Sequence, residues 1–205
     1  MTKVNDDVKV ILERISSMCS NAESVLNLCM LSFLKHNIEL LNDAQRISKS
    51  VHDEENESLG ILGSIKKDND SDKNLLKKLA VVIGHIEMAT DDMDSMIRNI
   101  RVKLSEKILF GDKAVNEVTQ LFKETLDVLK TARDAIVTKN EVLRKHVIDK
   151  YENLSKLVND YSEEHEERLV MGICQPRSAS LYLNIVDSQS KVVMHMKQAI
   201  ERYFA

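Results

Sequence analysis

The stretch Leu79-Ala80-Val81-Val82-Ile83-Gly84-His85-Ile86-Glu87-Met88-Ala89-Thr90-Asp91-Asp92-Met93-Asp94-Ser95-Met96-Ile97-Arg98-Asn99-Ile100 sets apolar side chains at 79, 82, 83, 86, 93, 96, 97 and 100. Steps of three and four residues place them on one face of an α-helix rather than on a strand. The same template returns as Tyr182, Ile185, Val186, Gln189, Met196, Ala199, Ile200 and Tyr203. Tyr182 follows Leu79, and Met196 follows Met93, by the same 103 residues, so the match needs no gap. An offset of about half the chain predicts a duplicated helical unit. The copies differ in charge. Glu87 and Asp91 lie four apart on one helix face, and their counterparts are Ser190 and Met194.

The rest of the chain fits an all-α fold. One proline, five glycines and no tryptophan in 205 residues leave few breakers, and aromatics at 4% are too scarce for a typical sandwich or barrel. Six helices can be traced. The first carries Val8, Ile11, Leu12, Ile15, Met18, Ala22, Val25, Leu26 and Met30 and runs to about Leu34. Asn37 caps a second, which ends near Gly60 and Gly63. The third spans about 73–107, and Gly111-Asp112 separates it from a fourth. Thr138 with Glu141 has the spacing of a capping box opening the fifth, and Pro176 suits the first turn of the sixth. Short connections favour antiparallel neighbours, which gives two tandem three-helix bundles, 1–110 and 111–205.

Charge and motif content exclude several functions. With 29 basic and 33 acidic side chains the net charge is −4, and no basic stripe interleaved with aromatics points to nucleic acid. Cys19, Cys29 and Cys174 have no metal-site spacing and fit reduced cytosolic thiols serving as small hydrophobes. Neither a signal peptide nor a membrane span is expected, since the most apolar window, 28–34, is far too short. No glutamate-x-x-histidine pair, nucleophile elbow or phosphate-cradling glycine loop occurs, so no catalytic activity is expected.

Two acidic runs remain. Asp68-Asn69-Asp70-Ser71-Asp72-Lys73 imitates a calcium loop, but lysine stands where the glycine is required and Leu79 where the bidentate glutamate belongs, so it is read as a solvated connection. Glu87, Asp91, Asp92 and Asp94 crowd one helix, with Glu87 and Asp91 assigned to outward positions. They read either as a solvated acidic face or as half of a divalent-metal site, because hard cations take clustered carboxylates. His195, just beyond the position matching Asp91, is read as a solvated helix-surface residue.

One segment carries a family resemblance. His165-Glu166-Glu167-Arg168-Leu169, then Gly172-Ile173-Cys174-Gln175-Pro176, then Ser180-Leu181-Tyr182-Leu183 resembles the second-repeat signature of PhoU-like domains, most of all the version attached to bacterial sodium/phosphate cotransporters. In the first repeat, Ile86-Glu87-Met88-Ala89-Thr90-Asp91-Asp92 resembles the family's Leu-Glu-Arg-Ile-Gly-Asp-His box, and Lys107-Ile108-Leu109-Phe110 its linker. The resemblance implies two three-helix bundles and a cytoplasmic, non-enzymatic regulator of phosphate transport. Its expected partner is a transporter's membrane domain, through which it would be peripheral to the membrane, or a phosphate-signalling protein. It also implies a divalent metal or iron at Glu87 and Asp91, with the second site lost through Ser190 and Met194. The competing reading is a structural helical adaptor, a dimerising bundle without metal. A carboxylate-metal hydrolase ranks below both.

Overall fold

The computed structural model describes residues 3–66 and 70–205. Asp68 and Asn69 of the calcium-loop imitation lie outside the described residues, as do the first two residues of the N-terminus. Asp70, Ser71 and Asp72 open a helix, and Lys73 pairs with Asp70 one turn back at 2.8 Å.

Six helices follow one another: α1 (Lys3–Lys35), α2 (Glu39–Ser64), α3 (Asp70–Ser105), α4 (Asp112–Thr138), α5 (Glu141–Val170) and α6 (Pro176–Phe204), with no strand among the described residues. At 36 residues α3 is about 54 Å long, given 1.5 Å of rise per residue. Each of α1, α2 and α3 packs against the other two, and α4, α5 and α6 do the same. The bundles meet through two seams, α1 against α4 and α3 against α6, so α2 and α5 stay on the outside. Buried residues of all six helices form one continuous cluster. Every one of the sixteen template positions on α3 and α6 is buried.

Across the α3–α6 seam, Glu106 pairs with Arg177, Asn99 with Asn184 and Asp92 with His195. One index falls as the other rises, so the two helices run antiparallel. Asp92 and His195 are themselves one repeat offset apart, and their meeting at 3.4 Å marks the pseudo-twofold axis. His195 is therefore not a solvated surface residue. It is enclosed in the seam, with the His85 ring 5.7 Å away.

The repeat extends to the turns. His36 and Lys139, one offset apart, both adopt left-handed backbone, at φ 53° and 50°. Each is followed by an asparagine that caps the next helix. The Asn37 side chain accepts from the Glu39 amide at 3.0 Å, and that of Asn140 accepts from the Val142 and Leu143 amides. Asparagine is favoured here because its short carbonyl satisfies amides that the first turn leaves unbonded. The capping box expected at Thr138 is thus displaced by two residues. Thr138 ends α4 and bonds back to the Asp134 carbonyl, while Glu141 pairs with Arg144. Similarly, α3 closes two residues earlier than expected. Lys107 turns left-handed (φ 55°), and the Ile108 amide reaches the Lys103 carbonyl.

The second-repeat signature is explained by a buried polar network joining α4, α5 and α6. Arg168 donates to both carboxylate oxygens of Glu117 at 3.0 and 2.7 Å, and the Tyr182 hydroxyl donates to the same carboxylate at 2.6 Å. The His165 ring stacks on Tyr182 with centroids 3.8 Å apart and planes at 8°. Cys174 Sγ closes the far side, 3.8 Å from His165 Nε2. A buried carboxylate is costly unless its lone pairs are filled, and here arginine and tyrosine fill them. Glu117, from a segment the sequence pattern treats as ordinary helix, holds this network together.

Candidate metal centre

Among the described residues, the group of histidine and carboxylate side chains placed so that it could hold a metal ion lies in the outer groove between α2 and α3. Ser48, His52 and Glu55 stand on one face of α2, and Glu87, Asp91 and Asp94 on one face of α3. Both rows use the spacing i, i+4, i+7, which keeps side chains in line along a helix. His52 sits at the centre. Its Nε2 lies 3.2 Å from Asp94 Oδ2 and 3.9 Å from Asp91 Oδ1, and its Nδ1 lies 3.3 Å from Glu87 Oε1. Buried Ser48 fixes Asp94 from below by donating to Oδ1 at 2.7 Å.

Glu87 and Asp91, the residues singled out from sequence, therefore do share a site, but not as an outward pair. The Glu87 side chain is only 22% exposed and turns toward α2, whereas that of Asp91 is 66% exposed. Counting heptad positions on α3 alone makes both outward; the groove exists only because α2 lies beside them. The tightest group is His52, Asp91 and Asp94, each offering one ligand atom within 4.8 Å of the others. Glu87 approaches the opposite ring nitrogen.

The electrostatics describe an excess of negative charge around one imidazole. Burial raises the Glu87 pKa, and the charges of Asp91 and Glu55 raise it further against the opposing pull of His52. Burial acts to lower the His52 pKa, but the Asp94 hydrogen bond and the Asp94, Asp91 and Glu87 charges outweigh it, so the net shift is upward. One imidazole nitrogen with several carboxylate oxygens suits Mn²⁺, Fe²⁺ or Zn²⁺ better than an all-oxygen set would. The residues present fit a metal. The equivalent groove of the second bundle does not: one offset on, His52, Glu87, Asp91 and Asp94 become Ser155, Ser190, Met194 and Lys197. A sequence signal for His52 and Asp94 existed in the matched i, i+4, i+7 spacings, but nothing in the sequence says which faces meet.

No family model matches the chain, and no curated protein matches it by sequence. The solved structures do. PhoU from Pseudomonas aeruginosa superposes with a TM-score of 0.88 over 98% of this chain and 97% of its own, at 15% identity. The fold is the PhoU fold. The phosphate transport system regulatory protein PhoU from Streptococcus pneumoniae gives 0.84 over 98% and 95%, at 12% identity. On this PhoU fold the candidate centre occupies the first bundle alone. No helix among the described residues is long and apolar enough to cross a membrane.

Proposed function

We propose that this chain is a non-enzymatic PhoU-like regulator of phosphate transport or phosphate signalling, working at the cytoplasmic face of the membrane. It acts as a free-standing protein or as the cytosolic domain of a sodium/phosphate cotransporter, and its partner is a transporter's membrane component or a phosphate-signalling protein. The end-to-end superposition on two PhoU proteins, one described as a phosphate transport system regulatory protein, carries this reading.

A divalent metal fits the reading at one place. His52, Asp91 and Asp94 would hold it, with Glu87 on the far side of the ring. The ion would supply positive charge where three carboxylates crowd together and would tie α2 to α3. Regulation requires two arrangements that differ in affinity for the partner. A groove whose net charge depends on an ion provides such a difference.

Two measurements test this. Deleting the chain in its host should leave phosphate uptake unrestrained at high external phosphate; unchanged uptake and unchanged phosphate-responsive expression would overturn the regulatory reading. Calorimetry with Mg²⁺, Mn²⁺ and Fe²⁺ should show Mn²⁺ and Fe²⁺ binding more tightly than Mg²⁺, because of the nitrogen donor. His52→Ala and the Glu87→Ala/Asp91→Ala pair should each weaken binding at least about tenfold. Wild-type protein that binds none of the three would remove the metal and leave the adaptor reading standing.

A further inference from the structure

A groove of about 500 Å³ lies between the first turns of α3 and the end of α6, lined by Lys77, Lys78, His85 and Arg202 and, among the described residues, by no acidic side chain. That is unusual in a chain of net charge −4. Every other arginine donates to a side chain: Arg14, Arg46, Arg144, Arg168 and Arg177 to carboxylates, Arg133 to carboxylates and a serine, Arg98 to serine, Arg101 to asparagine and glutamine. Among the described residues Arg202 has no such partner, and neither Lys77 nor Lys78 has an ion pair. Ala205 also lines the groove and forms no ion pair with these side chains.

Two polar atoms at this end of the molecule are also unmatched. His85 Nδ1 and the Tyr203 hydroxyl are both buried without a hydrogen-bond partner. Tyr203 belongs to an adjoining cavity of about 390 Å³, which shares Asn74 and Lys78 with the groove and adds Lys139. Its one acid, Glu141, is engaged by Arg144 at 3.0 Å. Burial first, then the charges of His195 and Arg202, hold the His85 pKa down. Like charges gathered without counter-charge are unfavourable, and a guanidinium fork with flanking ammonium groups matches phosphate oxygens. The volume exceeds a single phosphate, and the charges exceed what a monoanion balances.

We propose that this groove binds a phosphoanhydride, either inorganic pyrophosphate or the terminal phosphates of a nucleotide. Arg202 and Lys78 would pair with the phosphoryl oxygens, and Lys77 and His85 line the same groove. The site is separate from the α2–α3 groove and does not depend on the metal.

Calorimetric titration with pyrophosphate, and separately with ATP, tests this at low ionic strength with a chelator present, so that no ion at His52 can bridge. Saturable one-to-one binding is expected. The Arg202→Gln/Lys78→Gln variant should lose at least about tenfold in affinity, while Lys156→Gln, on α5, should lose none. Arg202 is exposed and Lys78 half-buried, and an unchanged melting midpoint will show that the variant is folded. Pyrophosphate alone binding identifies the free anion, and tighter ATP binding extends the site to a nucleotide. Absence of saturable binding, an equal loss in Lys156→Gln, or citrate binding as tightly as pyrophosphate would overturn the proposal.

Discussion

Gln189 and Ile86 occupy equivalent template positions, yet only one belongs in an apolar core. The Gln189 amide is fully buried, and neither its nitrogen nor its oxygen finds a partner. Removing an unmatched buried amide recovers its desolvation cost, so Gln189→Leu should stabilise the fold by about 1–3 kcal/mol. A raised melting midpoint checks this; a lowered one would show that the amide has a partner in solution. His165 gives a prediction in pH. Arginine can only donate, so His165 Nδ1, 2.9 Å from Arg168 Nη2, accepts, and the ring proton sits on Nε2 facing Cys174. Burial first, then the Arg168 charge, hold the His165 pKa below 6.5, with Glu117 opposing. The folded state thus resists protonation. The His165 contribution to stability should be full above about pH 6.5 and be lost as pH drops through the folded value. Thermal melts from pH 8 to 5 should show this slope in wild type and a shallower one in His165→Gln.

At the scale of elements, boundaries were legible to within a few residues because glycine, proline and periodicity mark them locally. The capping residue was not. Thr138 and Glu141 have the right spacing, but Lys139 turns left-handed and hands the cap to Asn140. The repeat held the answer, since Asn37 and Asn140 are one offset apart. Asn140→Ala should cost about 1 kcal/mol, read as a lower urea midpoint with an unchanged slope. Thr138→Ala should cost much less, because its hydroxyl bonds only to a carbonyl within its own helix.

For the whole molecule, both seams connect equivalent helices, α1 with α4 and α3 with α6, and all six helices feed one buried cluster. Either half alone would uncover the faces its partner covers. Protein cleaved at an engineered protease site beside Gly111 should therefore elute as one species holding both halves. Two separate folded monomers would show instead that each bundle is complete by itself. The same architecture makes the two halves unequal: it repeats the α2–α3-type groove, and only the first copy carries the imidazole and carboxylates of the candidate centre.

The helices, their number and their duplication were determined by the sequence, because periodicity and turn chemistry act over a few residues and need no knowledge of the fold. Which faces meet depends on contacts between residues far apart in the chain. Only the tertiary structure could turn Glu87 inward against His52, set Asp92 against His195, place Glu117 beneath Arg168 and Tyr182, and gather Arg202 with Lys77 and Lys78 along one groove.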